Sequence, residues 1–551
     1  MNKIKQTLII AITLLFNLTY SQQKDDKELA AYFDKFLSEQ FKADEPGITA
    51  LVSRKGQIIF KKAFGTANLE LNAPMQIDNV FWIASMGKQF TAVAILQLVE
   101  QGKLNLNDEI TKFIPDYPTQ GNKITIENLL THTSGIHNFS GMKDPEKKLA
   151  LDCTPNEVID FFKNLPMKFA PGTKWEYSNS GYFLLGYIIE KITGKAYGEY
   201  LEENIFKPAG MSNSLFASNK KIVKNRVGSY SVGETGFQNS RVLNNTHIYS
   251  AGAIQSTVED LFKWHQAVHS YKLVKKDIMD KAFTRYKLSD GKEVDYGYGW
   301  KLGYVYGYPS VYHGGGIEGF GTMEIYLPKE DVFVVVFANC DCIHPTDIAF
   351  RMAAIAAGRP TEYKEIPIES SSLKEYAGLY ENQKGQQRII SVSENQLSSH
   401  LGRGPKSSLK SFKKDQFYFE TDPMQTIEFV RGKKNTVEKI VMSKLSGNDT
   451  WIKTNKPLPS ENGVKVNEKT LESYAGEYEI PHLMAFKLIK EKGKLYLLAG
   501  DDKIEMFADT ETKFFLKVND AQFEFFKDDQ GKVTKVILNQ GGKEAEAKKV
   551  N

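Results

Sequence analysis

The chain has 551 residues, 41% of them hydrophobic and 25% charged, and its 71 Lys and Arg against 67 Asp and Glu give a net charge of +4. That length is too great for a single core, and so small a charge excludes the basic surface of a nucleic-acid binder. Zinc-finger, basic-zipper and phosphate-loop patterns are absent from the sequence.

At the N-terminus, Lys3 and Lys5 precede the apolar run Thr7 to Leu18, and the small residues Thr19 and Ser21 stand just before Gln22. A membrane anchor needs ~20 apolar residues. The shorter run with small residues behind it predicts a cleaved export signal over residues 1–21, a periplasmic or secreted location, and no stable membrane insertion afterwards. Next, Leu29, Phe33, Phe36 and Leu37 fall on one face of a helix spanning Asp25 to Phe41. "GITALVSRKGQIIFKKAFG" alternates about Lys55-Gly56 and predicts a β-hairpin. Helical and loop-rich sequence follows. In "STVED", Ser256 and Glu259 predict a capping box opening a helix through Trp264. Val311 to Ala338 predicts a second sheet region, with "TMEIYLPKEDVFVVVFA" as its hairpin, and Thr346 to Ala357 a closing helix.

Residues 22–358 therefore form one α+β domain, and the non-periodic segment 359–369 a linker. Beyond it the sequence repeats. Leu373, Tyr376, Gly378 and Tyr380 recur as Leu471, Tyr474, Gly476 and Tyr478, and "NTVEKIVM" has its counterpart in "GKVTKVIL" at nearly the same offset. Two matches at one spacing indicate duplication. The short runs between them, such as "QFYFE", "TIEFV", "KLYLLA" and "QFEFF", predict a small antiparallel barrel in each copy, residues 370–455 and 468–551, joined by a linker over 456–467.

Cys153, Cys340 and Cys342 are the only cysteines, so at least one has no intrachain disulfide partner, and a bridge from Cys153 to the later pair stays open. "CDCIH" offers at most three ligands on one short stretch, too few for a zinc shell, and neither a metal nor another cofactor is expected.

The chemistry is read from three segments. In "FWIASMGKQFTAVAILQLVEQGKL", Ser85 and Lys88 stand three apart at the head of an apolar helix. Positions i and i+3 share a helix face, so the amine comes within reach of the hydroxyl. A serine is a poor nucleophile until such a base is held against it, and burial makes a lysine a better base. The Ser-x-x-Lys spacing recurs elsewhere, from Ser21 to Ser411, but only the Ser85 copy opens a long apolar helix. In "WEYSNSGYFLLGYIIEKITG", Tyr177 and Asn179 sit in a polar turn before a helix, where a phenol can relay a proton and an amide can hold a substrate carbonyl. In "YHGGGIEGFGTMEIYLP", the glycines after His313 allow a substrate to approach the backbone closely. The N–H groups of Gly316 and Ser85 are the candidate oxyanion hole. The plainer alternatives are a surface-strand histidine and a bulge.

The ordered set Ser-x-x-Lys, Tyr-x-Asn and His-x-Gly resembles the serine β-lactamase and penicillin-recognising peptidase superfamily, in its branch of class C β-lactamases, DD-peptidases, D-aminopeptidases and esterases. "LLTHTSGI" and "SAGAIQSTVEDLFKW" are similar to further family segments, so the likeness runs from about Gly47 to Gly358. It implies a two-lobed fold, an antiparallel sheet beside a helical lobe with the cleft between them. It implies that Ser85 is acylated and that Lys88 and Tyr177 share acid and base work. Asn179, His313 and Gly315 line the substrate site, and His132 is structural. The third motif departs from Lys-Ser/Thr-Gly: His313 replaces the lysine and Gly314 the hydroxyl residue. This removes charge-assisted hydrogen bonds to a substrate carboxylate and weighs against a β-lactamase. A catalytic domain followed by two barrels resembles the D-aminopeptidase layout. No Gly-x-Ser-x-Gly elbow is present, which disfavours a lipase-type hydrolase. The expected function is a serine peptidase or amidase acting on small molecules or short D-amino-acid peptides. The alternatives are a β-lactamase or carboxylesterase of the same family, and a catalytically retired binding protein. The oligomeric state is not legible.

Overall fold

The computed structural model describes residues 25–140, 142, 152–218, 220–241, 244–393, 395–445, 447–456, 458, 463–480, 484–499, 502–519, 521–540 and 543–550. The expected export signal lies outside the described residues. The chain divides into two compact units, residues 1–359 and 360–551.

The first unit is α+β. Its sheet contains β1 (Ile48–Arg54), β2 (Gln57–Phe64), β3 (Lys301–Val305), β4 (Tyr308–Ile317), β5 (Phe320–Leu327) and β6 (Val332–Ala338), all antiparallel, in the order β3-β4-β5-β6-β1-β2. The sequence "VFVVVFA" of β6 is buried at every position, and β1 is buried from Ile48 to Ser53. Strands covered on both faces read as continuous apolar runs. Pairing of Ile48 with Ala338 joins the two ends of the domain in one sheet. The expected β1–β2 hairpin turns at Lys55 and Gly56, whose φ values of +52° and +72° suit a two-residue primed turn.

The main helices are α1 (Asp26–Ser38), α2 (Gly87–Glu100), α3 (Asn179–Thr193), α4 (Val258–His269) and α5 (Pro345–Ala356). Helix α1 buries Leu29, Phe33 and Leu37, with Phe33 5.8 Å from Phe60 of β2. Helix α5 packs on β5 and β6. Helix α2 is buried all round from Gly87 to Leu98 and forms the centre of the helical lobe, packed on α3. One expected cap is displaced by a residue. Ser256 ends a short strand, and its hydroxyl lies 2.8 Å from Ser214 Oγ. The N-cap of α4 is Thr257, which accepts the Asp260 N–H at 3.2 Å. The strand holds Ser256 out of the capping position. Cys340 and Cys342 are disulfide-bonded to each other, so the bridge from Cys153 does not form.

The second unit holds two closed antiparallel barrels of eight strands each, the first from Gly378 to Lys453 and the second from Gly476 to Lys549. They close by the same register, Tyr380 opposite Lys453 and Tyr478 opposite Lys549. The repeated tyrosines have one structural role. Tyr380 donates to the Tyr376 carbonyl at 2.7 Å, and Tyr478 to the Tyr474 carbonyl at 2.8 Å. The intervening Gly378 and Gly476 have φ of +154° and +146°, which disfavours any side chain. Side chains fill both interiors: Ile390, Phe429 and Trp451 in one, Leu488, Phe523 and Phe525 in the other. Among the described residues, no helix is long and apolar enough to cross a membrane.

Candidate active site

The nucleophile turn is built by a short strand. Phe81 and Trp82 pair with Ser256 and Gln255, and the Ile83 N–H bonds the Ile254 carbonyl at 3.0 Å. The backbone then turns sharply. Ala84 takes φ +48°, a conformation costly for a residue with a Cβ, and starts a 3₁₀ turn that delivers Ser85 to the foot of α2.

Lys88 follows one turn later and is fully buried. Its Nζ lies 3.1 Å from Ser85 Oγ, 2.7 Å from Asn179 Oδ1 and 2.7 Å from the Ala251 carbonyl. All three partners are uncharged. Burial with no carboxylate among them holds the lysine well below its ordinary pKa. A neutral amine has two N–H groups and a lone pair. The carbonyl oxygens of Asn179 and Ala251 can take the N–H groups and leave the lone pair to the Ser85 hydroxyl.

Tyr177 completes the cluster. Its phenol is on the Ser85 side of the cluster, and Lys88 Nζ lies 4.9 Å from its ring centroid. Burial raises the phenol pKa, which the neighbouring Ser85 side chain offsets in part, so the proton stays on at neutral pH. His132 backs the ring, with centroids 4.3 Å apart, and its Nδ1 accepts the Ser178 N–H at 3.1 Å. That bond puts the imidazole proton on Nε2. Burial first, and then the nearby Lys88, hold His132 well below its ordinary pKa, in the neutral form. The structural histidine of the sequence reading thus supports the tyrosine directly.

Asn179 opens α3. Its N–H donates to Asn138 Oδ1 at 3.0 Å and its Nδ2 to Ser140 Oγ at 2.9 Å. With Oδ1 on Lys88, the Asn179 amide also orients the lysine. His313 lies on β4, 2% exposed, with Nε2 3.1 Å from the Tyr296 hydroxyl and Nδ1 2.7 Å from the Gly314 carbonyl. The Nδ1 contact needs a proton there, so Nε2 accepts from Tyr296. Burial, followed by the charges of Lys88 and Lys301, lowers the pKa of His313 to about 3. The position where the resemblance expects a lysine is therefore an uncharged ring.

The glycines divide by what they face. A Cβ on Gly315 would stand 2.2 Å from the Ile83 carbonyl oxygen and 3.1 Å from Ala84 Cβ. The nucleophile turn itself makes the close approach expected of substrate, so Gly315 brings β4 against Ser85. A Cβ on Gly314 would meet Met323 Cε at 2.7 Å, whereas one on Gly316 would meet nothing within 4 Å. Of the three glycines, Gly316 has the open side.

The structure thus brings together Ser85, Lys88, Tyr177 and Asn179, with His313 beside Tyr177 at a ring distance of 6.3 Å. Sequence reasoning missed Ala251, Asn138, Ser140 and Tyr296. Ala251 lies in the flagged segment "SAGAIQSTVEDLFKW", but it contributes only a backbone carbonyl, which no residue type announces.

Residues 29–355 match the Beta-lactamase family, and residues 362–454 and 460–549 each match a domain of unknown function, DUF3471. The chain is 28% identical to Penicillin-binding protein 4* of Bacillus subtilis over 421 residues, covering 70% of this chain and 90% of that protein. It is similar in structure to an octameric penicillin-binding protein homologue from Pyrococcus abyssi, with a TM-score of 0.54 at 24% identity over 95% of this chain and 100% of that one. A D-stereospecific amidohydrolase from Streptomyces shares the fold at a TM-score of 0.51 and 23% identity, covering 59% of this chain and 98% of the other. With more than half its length matched and a serine, a lysine and a tyrosine gathered at the head of one helix, the chain belongs to the Beta-lactamase family of serine hydrolases.

Proposed function

We propose that this chain is an exported serine hydrolase that works through an acyl-enzyme on Ser85 and cleaves amide bonds in small D-amino-acid peptides and related amides. The observation that carries the proposal is the uncharged environment of Lys88, whose amine faces the Ser85 hydroxyl at 3.1 Å. Lys88 takes the hydroxyl proton as Oγ bonds to the substrate carbonyl carbon. The N–H groups of Ser85 and Gly316 hold the resulting oxyanion. Tyr177 gives its proton to the leaving amine as the C–N bond breaks, and regains one from the protonated Lys88. Water then attacks the ester, its proton passes to the Tyr177–Lys88 pair, and Ser85 leaves reprotonated with the acid released.

The neutral His313 and the missing hydroxyl at Gly314 favour leaving groups without a carboxylate. This ranks amides above β-lactams, with esters the second reading because they suit an uncharged site equally well. The D-configuration follows the resemblance of the domain layout to D-aminopeptidases. The test compares turnover of a D-alanyl amide, a short acyl ester and a chromogenic cephalosporin, together with labelling by an active-site serine probe read by intact mass. The amide should be fastest, with one adduct that disappears in Ser85→Ala. Cephalosporin turnover far above the others reverses the ranking. An unlabelled wild type, or an adduct that survives Ser85→Ala, points to a retired enzyme that only binds.

A further inference from the structure

Beyond Gly316, β4 leads into a pocket lined by Trp82, Arg226, Ser229, Arg241, Ile317 and Glu318. Its position relative to the reacting bond follows from the site. The leaving amine must face its proton donor, Tyr177, which lies beside His313 at the start of the glycine run. The opposite end of that run therefore faces the acyl part of the substrate. Trp82 precedes Ser85 by three residues and Ile317 follows Gly316, so two walls of the pocket continue the segments that carry the candidate oxyanion donors.

The walls are fixed. The segment carrying Arg226 is pinned to the strand leading to the nucleophile. Val80 N–H and Asn79 Nδ2 each donate to the Asn225 carbonyl at 2.9 Å, and Val227 N–H donates back to the Val80 carbonyl at 3.3 Å. On the other side, Gly319, with φ +72°, lets the turn after β4 close on Ser229 and Ser240. A Cβ there would lie 2.6 Å from Ser229 Cβ and 2.5 Å from Ser240 Oγ. Arg241 is ion-paired with Glu318 at 2.6 Å. Among the described residues, Arg226 forms no ion pair. The pocket therefore holds two guanidinium groups against one carboxylate, with the uncompensated charge on a side chain whose backbone is held in place. This is the reverse of the His313 end, where the ring is uncharged.

We propose that this pocket is an acyl-side subsite for a carboxylate, with Arg226 as the recognising residue, so that the preferred substrates are anionic on the acyl side and uncharged on the leaving side. A guanidinium matches a carboxylate in a two-point hydrogen bond, while the face of Trp82 gives the intervening methylenes an apolar wall. The inference rests on the acyl-enzyme reading for its assignment of sides.

Two matched p-nitroanilides, N-succinyl-D-alanyl and N-acetyl-D-alanyl, differ by the added carboxylate arm. Wild-type kcat/KM should favour the succinyl compound by roughly ten-fold or more. The preference should shrink with added salt, because Arg226 is exposed. Arg226→Ala should bring the ratio close to one while leaving the acetyl rate unchanged, and Arg226→Lys should retain part of it. A ratio near one in the wild type, or an equal loss on both substrates in Arg226→Ala, overturns the subsite. Calorimetric binding of both compounds to the Ser85→Ala chain reads the subsite without chemistry. Tighter binding of the succinyl compound, lost on adding Arg226→Ala, supports it even if turnover fails and the hydrolase reading falls. Equal affinity, or no measurable binding of either compound, overturns it while leaving the hydrolase reading to its own probe.

Discussion

The first unit and the two barrels bury very different side chains. Around the cleft of the first unit lie Lys88, His132, His313 and Glu324, all nearly inaccessible to water. The barrel interiors are aromatic and aliphatic. The first barrel also buries Ser399 and His400, and Arg388 brings a charge into its interior. Arg388 lies over the Trp451 ring at 5.0 Å and donates to Ser399 Oγ at 2.9 Å. In the second barrel the same register positions hold Phe486, Leu497 and Ala547, so this group of residues diverged together while the strand pairing stayed the same. Buried ionisable groups without counter-ions cost stability, and several of them around one serine hydroxyl mark a place where chemistry uses them. Substitutions should then separate the two regions, costing activity in one and only stability in the other.

The largest effect is expected at Lys88. Lys88→Met removes the amine but keeps much of its volume, and kcat/KM should fall by about a thousand-fold or more, roughly 4 kcal/mol in the barrier. Circular dichroism should show the fold retained. In the wild type, kcat/KM should decline toward acid as Lys88 takes up a proton, and that decline should lie well below the ordinary lysine range because burial lowers this pKa. A variant within ten-fold of wild type would remove Lys88 from the mechanism and with it the contrast between the regions.

Glu324 sharpens the contrast, because it is buried beside the site and has no assigned step. It stands opposite His313 in the β4–β5 ladder. Its Oε1 accepts from Gln89 Nε2 at 2.6 Å and Trp300 Nε1 at 3.4 Å, while Oε2 has no partner among the described residues. Burial raises its pKa to about 7, against an ordinary 4.5. Between these values the folded chain holds a proton that the unfolded chain releases. Glu324 thus contributes its full stabilisation below pH 4.5 and loses it as pH rises through 7, by roughly 3–4 kcal/mol for a shift of this size. Glu324→Gln should raise the thermal midpoint of the first unit at pH 8.5 and leave it nearly unchanged at pH 5. The lowered pKa of His313 acts in the opposite sense, destabilising as pH falls from 6.5 toward 3, so the wild-type-minus-variant difference isolates the glutamate. A difference independent of pH would mean that Glu324 is ionised throughout.

Much of this was legible in the sequence, for identifiable reasons. Strands β1 and β6 and helix α2 are apolar on all sides because they are covered on all sides, and such runs need no partner to be recognised. The tyrosine–glycine marks of the barrels recur because one hydrogen bond and one backbone angle require them. What escaped depends on which way a group faces. Glu324 in "TMEIYL" looks like the solvent side of an alternating strand, yet helix and sheet cover both faces there. Gly315 suggested room for substrate, but the nucleophile turn occupies that space. Ser256 fits a capping box as well as Thr257 does until the strand before it is placed. The oxygens that grip Lys88 come from a backbone carbonyl and from an asparagine fixed by Asn138 and Ser140, and that geometry exists only after three segments have met.

The smallest effect is expected at Arg388, where the barrel interior departs from its own rule. Burial pushes the guanidinium pKa down to about 10, so it remains charged at neutral pH, and its Nε has no hydrogen-bond partner among the described residues. A buried charge satisfied at only some of its donors contributes little net stability, and replacing it with an apolar side chain of similar length is often neutral or stabilising. The second barrel demonstrates the replacement, with Phe486 packed 5.6 Å from Tyr478 where Arg388 stands opposite Tyr380. Arg388→Met should therefore change the denaturation midpoint of the second unit by no more than about 1 kcal/mol in either direction, and leave kcat/KM at the wild-type value. A loss of 3 kcal/mol or more would show that the guanidinium holds the first barrel together in a way its twin does not need. A fall in kcat/KM with the fold intact would break the comparison altogether, because an interior residue of the second unit would then be acting on the chemistry of the first.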